Sequence, residues 1–240
     1  MENNHVILDA DFAELITKLG DRFRDSGNIT ESIAYIEQAQ KNYLELGHES
    51  YFIACLERMG HIYIQIGELE KGFSMICEAD EKMKRLCNQF PDNLDYKETQ
   101  SIIYQRIGDY HQQIGYINEA LAFYQKEHLI KENLHKHYVL QNTKAKTQHY
   151  TNLLATTILK LGEIAKKSEQ IEEAICYFED IERLYQKYPV GGLAARDRQG
   201  FAYIYLGEVK YTQGEKETAL SYYEKAFHLS MGCKKTMKKR

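Results

Sequence analysis

Along this chain apolar side chains return at helical intervals, and one such stripe is written five times. It begins with a small residue at Ser32, Gly72, Ala120, Ala174 and Ala219 and continues four positions later with Ile36, Ile76, Tyr124, Phe178 and Tyr223. Three positions further on, Ala39, Ala79, Ile181 and Ala226 close it, while Glu127 breaks the third copy at that place. Spacing of i, i+4 and i+7 lays these side chains along one face of an α-helix, so each stripe predicts an amphipathic helix with one buried edge.

A fixed pair of signals precedes each stripe. An apolar residue and a glycine come first, at Leu19-Gly20, Met59-Gly60, Ile107-Gly108, Leu161-Gly162 and Leu206-Gly207. Seven residues after each of these glycines stand Gly27, Gly67, Gly115, Glu169 and Gly214. A glycine inside a helix costs about 1 kcal/mol relative to alanine, so its return at one register predicts close packing of a neighbouring helix there. The second position falls where a helix must end and the chain reverse, and a residue without Cβ takes the left-handed backbone cheaply. Each unit is therefore a helix hairpin. The expected pairs are 10–26 with 29–47, 49–66 with 69–88, 94–114 with 117–140, 145–168 with 171–187 and 193–213 with 216–231.

This pattern resembles the tetratricopeptide repeat family, whose aromatic, Leu-Gly, Tyr, Gly, Ala, Phe or Tyr, then Ala positions the five copies spell out from about residue 12 to 231. The family's first aromatic is replaced by Ile16, Leu56, Tyr104, Ile158 and Tyr203, and its closing proline by Leu44, Lys84, Glu132, Gln186 and Met231. Repeat 4, with Ala165 and Glu169 at motif positions, departs furthest. Anchor glycines lie 40, 48, 54 and 45 residues apart, against a family period of about 34. Without the proline the second helix can run on, and the chain is similar to the extended-helix subgroup of kinesin light chains, spindle adaptor scaffolds and bacterial peptide-sensing regulators. The resemblance implies an all-α, right-handed superhelical solenoid of about five hairpins. One domain is expected over 1–233, with repeats near 12–47, 52–88, 100–140, 154–187 and 199–231, followed by a basic tail at 234–240.

Composition agrees with helix throughout: among 240 residues there are two prolines, Pro91 and Pro189, and no Trp. Charge narrows the partners. The whole chain carries −4, but five of its last seven residues are Lys or Arg, which leaves −9 on the remainder. An acidic body argues against nucleic acid, which is bound by Lys and Arg that displace phosphate counterions. The tail is read as a solvated end without a function. Five cysteines (Cys55, Cys77, Cys87, Cys176 and Cys233) form no CxxC pair, and no apolar signal run opens the chain, so a reduced, cytoplasmic compartment is expected. No stretch approaches the roughly 18 apolar residues of a membrane helix, so no membrane insertion is expected.

Candidate chemistry is sparse. Cys77 and Cys87 near His61 lack the tight paired spacing of a zinc site, and His128, His135, His137 and His149 form no HExxH-type set, so surface histidines are expected. Every glycine is assigned to repeat register, the Gly191-Gly192 turn or the chain end, which leaves none for a phosphate loop. The expectation is no metal, no cofactor and no catalysis. Among the 19 tyrosines, Tyr63, Tyr104, Tyr124, Tyr203 and Tyr223 fall at repeat core positions, so packing accounts for them.

The resemblance also implies where a partner sits, because in such arrays the first helices line a concave surface. Family geometry places two sites of each first helix there: three residues before the anchor glycine (Thr17, Glu57, Gln105, Leu159, Ile204) and one after it (Asp21, His61, Asp109, Glu163, Glu208). Family members that clamp the C-terminal carboxylate of heat-shock chaperones carry Lys with Asn or Arg there, and this chain does not. A groove of Asp21, Glu57, His61, Gln105, Asp109, Gln112, Glu163, Glu208 and Tyr211, with Gln65 and Gln113 alongside, is instead expected to hold a protein segment or peptide that is basic or amphipathic. The expected function is an interaction scaffold or adaptor. Alternatives are a sensory domain gated by a small peptide and the repeat domain of a larger signalling protein. Tyr211, Tyr222 and Phe227 in the last hairpin are expected to be partly exposed or covered, for instance by a second copy in a homodimer.

Overall fold

The computed structural model describes residues 9–237, with side chains up to Ser230. Ten helices and no strand are found among the described residues: α1 (Ala10–Asp25), α2 (Ile29–Glu45), α3 (Glu49–Gln65), α4 (Leu69–Gln89), α5 (Leu94–Gln113), α6 (Ile117–Leu140), α7 (Lys144–Lys167), α8 (Ile171–Lys187), α9 (Leu193–Thr212) and α10 (Lys216–Met237). The repeat pattern predicts one array; the helices group into two compact units, α1–α5 and α6–α10, which divide between Ile114 and Gly115.

The turns show why the boundaries fall where they do. After α1, the Asn28 amide donates back to the Phe23 carbonyl (2.8 Å) and the Gly27 amide to Arg24 (2.9 Å), with Gly27 at φ +84°. This paired closure satisfies carbonyls that the helix end leaves free, and it requires a left-handed residue. The same two bonds recur after α3, α7 and α9. After α7 the left-handed residue is Glu169, at φ +61°, so the fourth turn keeps its geometry against the steric preference of a Cβ-bearing residue. Gly47 (φ +71°) and Asn142 (φ +51°) end α2 and α6 in the same way. Gly47, counted in the sequence with the repeat register, has a turn of its own outside it and stops α2 two residues short of the expected end.

In unit 1 the anchor glycines sit where hairpin helices touch. A Cβ on Gly60 would come within 2.7 Å of the Gly72 carbonyl oxygen, and one on Gly72 within 2.5 Å of that of Gly60, so α3 and α4 cross backbone to backbone. At Gly20 the obstacle is Ile36, 2.7 Å away. Around these contacts Ile36, Ala39, Ile53, Met59, Ile62, Ile76 and Ala79 are buried.

Unit 2 uses the same device with rings. Phe178 fills the space beside Gly162 and Tyr223 that beside Gly207. One core gathers Leu154, Ile158, Phe178, Ile181, Tyr185 and Leu206; a second gathers Ala120, Tyr124, Leu161 and Ile164. Below the second core the α6–α7 seam turns polar. Glu127, which interrupts the apolar stripe, is buried and paired with Lys131 one turn on, while the Thr157 hydroxyl donates to Glu127 Oε1 (2.8 Å). Further along, His135 Nε2 meets the Thr151 hydroxyl at 3.0 Å and the His135 ring stands edge-on to Tyr188.

Three expectations change. His135 is 4% exposed, a core residue rather than a surface one, and burial lowers its pKa. Of the five tyrosines assigned to the core, Tyr124 is fully buried, Tyr63, Tyr104 and Tyr203 are half-buried, and Tyr223 is exposed, because no following helix covers α10 among the described residues. α10 continues past Met231 to Met237, so Lys234 and Lys235 are helical rather than part of a frayed tail. Cys233 and the residues after Met237 lie outside the residues whose side chains are described. Buried Cys55 is pushed up to about 11 by desolvation, which keeps its thiol protonated and unreactive.

Candidate binding faces on the first helices

In unit 1 the face is built by α1, α3 and α5, and its acids are already partnered. Asp21 accepts from Arg24 Nη1 at 2.9 Å, one turn on, and lies 3.4 Å from Arg58 Nε on α3. Glu57, 4% exposed, accepts from Arg106 Nε of α5 at 2.6 Å. A carboxylate buried this deeply is tolerable because a charge-assisted hydrogen bond replaces its lost hydration. Between these pairs sits His61, lowered to about 4 by burial and by the Arg106 guanidinium, against the opposite pull of Glu57 and Asp109. It is therefore neutral at physiological pH. Gln105, Asp109 and Gln112 are half-buried on α5, each engaged in an interaction of its own, and Gln65 is exposed at the end of α3. Thr17 is buried and donates its hydroxyl to the Ala13 carbonyl (2.9 Å), so it belongs to the packing rather than to the surface.

Unit 2 presents α7 and α9. Glu163 accepts from the Tyr205 hydroxyl at 3.0 Å; burial, reinforced by the charge and hydrogen bond of Glu163, pushes that phenol up to about 12. Glu208 is paired with Lys166, whose ammonium also lies 4.9 Å from the centre of the Tyr205 ring. Arg198 donates to Thr156 at 2.6 Å. α9 also shows apolar surface: Phe201, Ile204 and Tyr211 are exposed and flank Glu208 along one side of the helix.

An acidic face is thus not what the helices build. Two residues that neutralise it, Arg58 and Arg106, stand two positions before their anchor glycines, a place that the other repeats fill with Lys18, Lys160 and Tyr205; Lys18 is paired with Glu14 instead. This column is as regular as the acidic one and could have been read from the sequence. Its partners lie 42 and 49 residues away, as for Glu163 with Tyr205 and Glu57 with Arg106, so no local pattern ties the two columns together. The observed pairs join consecutive first helices: Asp21 to Arg58, Glu57 to Arg106 and Glu163 to Tyr205. Among the described residues no three His, Cys, Asp or Glu side chains converge as metal ligands, and no helix is long and apolar enough to cross a membrane.

Helix hairpins that cross at Gly20, Gly60, Gly162 and Gly207, with a left-handed residue at the turn that follows each first helix, define a tetratricopeptide-like repeat fold. Comparison with solved structures agrees. The chain is similar to aspartyl phosphate phosphatase F from Bacillus subtilis (13% identity, TM-score 0.66), matching 92% of its own length to 51% of that chain. It is also similar to the TPR-like repeats of a Podosopora anserina putative kinesin light chain (12% identity, TM-score 0.56, 92% and 95% covered) and to MamA (19% identity, TM-score 0.51, 90% and 96% covered). It spans about half the length of the phosphatase. At these identities the likeness is one of fold. Neither the protein-family models nor the curated proteins yield a match.

Proposed function

We propose that this chain is a protein-interaction scaffold that holds a segment of another protein against its first-helix faces. One observation supports this above the rest: along these faces polar and charged side chains are fixed in advance by partners on the next helix, as with Glu57 and Arg106, while Gln65 stays open on the unit 1 face and Tyr211 on the unit 2 face. Groups ordered before binding lose little entropy on contact. The segment that fits is amphipathic. Because the acids are paired internally, a purely basic peptide gains little here, whereas exposed Ile204 and Tyr211 offer apolar anchorage beside polar contacts. The reading gives the chain no chemistry of its own and takes a cytoplasmic location, consistent with the free cysteines among the described residues.

A photo-activated cross-linking residue tests this when placed in turn at Gln65 and Tyr211 and, for comparison, at Glu78 and Glu224 on the second helices. Expected is capture of one common protein from the first-helix positions alone. Equal capture from the second-helix positions would overturn the assignment of the face.

A second reading has its own observation. The match to the phosphatase covers nearly all of this chain but half of that one, as the repeat domain of a larger regulatory protein would. A peptide-gated domain changes its hydrodynamic radius on binding; a static scaffold keeps it.

A further inference from the structure

The repeats disclose what the two end faces are shaped to meet. One residue of every first helix stands five before the anchor glycine and another stands one before it. In repeats 2 to 5 these are Cys55 and Met59, Ile103 and Ile107, Thr157 and Leu161, Ala202 and Leu206, all buried. In repeat 1 they are Leu15 and Leu19, and Leu15 is 62% exposed. α1 thus carries the apolar half of a repeat-to-repeat contact with nothing against it among the described residues.

α10 carries the other half. Six residues after the second glycine, Phe73 stacks on Tyr110 of α5 (3.9 Å between centroids) and Ile175 packs into the core that includes Leu206. Their counterpart Leu220 is 58% exposed. Thirteen residues after it, Asp80 accepts from Gln100 of α5 (2.7 Å) and Glu182 from Tyr203 of α9 (2.9 Å). Their counterpart is Phe227, 59% exposed. Between α9 and α10 lies a shallow depression lined by Gly200, Phe201, Ile204, Ala226 and Leu229.

The two halves match when laid together in register. Gln100 stands eight before its anchor glycine, and the residue at that place in repeat 1 is Phe12; the internal polar pair Asp80–Gln100 is thus answered by an apolar pair, Phe227 and Phe12. Charge agrees as well. The link Asp21–Arg58 joins the position after one anchor glycine to the position two before the next, and continued past the last repeat it brings Glu208, paired with Lys166 within its own copy, to Lys18, paired with Glu14 within its own.

We propose that the protein associates with itself head to tail, the α9–α10 end of one copy receiving α1 of the next as though it were the following repeat. The contact is heterologous: the two surfaces differ, and each copy keeps one of each free for a further copy. It overlaps the partner face above at Ile204 and Glu208 of α9 but leaves out Gln65 and Tyr211.

Sedimentation velocity over roughly 1–200 µM, a range that brackets weak micromolar association, tests this with three full-length proteins. They are wild type, an N-end variant (Leu15→Glu with Leu19→Glu) and a C-end variant (Leu220→Glu with Phe227→Glu). Wild type is expected to grow with concentration from 28.1 kDa through dimer to larger species. Each variant alone is expected to stay monomeric, and an equimolar mixture of the two to form a dimer and nothing larger, because one intact surface of each kind remains. Unchanged helicity and melting temperature show that the variants are folded; if either unfolds, Lys18→Glu and Glu208→Lys replace them, with association lost in each and regained on mixing. A wild type that stays monomeric overturns the proposal. So does association that survives the N-end variant but not the C-end one, the mark of two like C-terminal ends pairing, and so does a mixture that fails to associate.

Discussion

Arg106 is the residue on which the unit 1 face depends most. Its guanidinium compensates Glu57, which is nearly sealed from water, and it helps to keep His61 neutral. Arg106→Ala leaves a buried carboxylate without its counter-charge and is expected to cost about 3 kcal/mol, read as a lowered midpoint in urea unfolding. His61 gives a pH signature. The unfolded imidazole takes up a proton near 6.5, the folded one near about 4. Between those values the unfolded state binds more protons, so stability is full above pH 6.5 and declines as pH falls through the window. The loss is expected to be about 1–2 kcal/mol once the solvent reaching the ring is allowed for, and His61→Gln should flatten it in melts run from pH 7 to 4. Neither residue's role was legible in the sequence. Arg106 meets a carboxylate 49 positions away, and no local pattern distinguishes a histidine facing solvent from one, like His135, turned into a helix seam.

At the scale of the element the sequence was far more open. Expected and observed helix limits agree to within two residues except at the end of α10, because the turn inside each hairpin needs a left-handed residue and the crossings described need a small one, and both leave marks at fixed spacing. The largest departures have local causes: Gly47 closes α2 early, and no breaker stops α10 at Met231. What the glycine marks do not reveal is how much each matters. Gly60 faces the backbone of Gly72, which cannot yield unless the whole helix shifts, whereas Gly207 faces the ring of Tyr223, a side chain with room to swing outward. Gly60→Ala is therefore expected to cost about 2–3 kcal/mol, near the upper range for overpacking, and Gly207→Ala about 1 kcal/mol or less, offset in part by the better helix propensity of alanine. Thermal melts of the two variants beside wild type decide it. An equal effect would mean that crossing distance, rather than the nature of the facing atom, sets the cost.

For the molecule as a whole, the pairing of acids and bases on consecutive first helices changes how a partner should be attracted. A chain of net charge −4 with an open acidic face would draw basic segments at a rate that falls steeply with salt. With Asp21, Glu57 and Glu208 already paired to Arg58, Arg106 and Lys166, long-range attraction is largely cancelled. Association with the captured partner is expected to slow less than about threefold between 50 and 300 mM salt, against tenfold or more for an unpaired face; stopped-flow measurements at the two salt concentrations separate these cases. The total charge of the sequence pointed the other way because a sum does not record which charges face each other. The pairing rule has one more consequence. Where it holds, as from Asp21 to Arg58, each hairpin supplies an acid forward to its successor and a base back to its predecessor, so a hairpin copied and inserted between two others arrives with both connectors in place. An array wired in this manner can be lengthened by duplication without redesigning the joint.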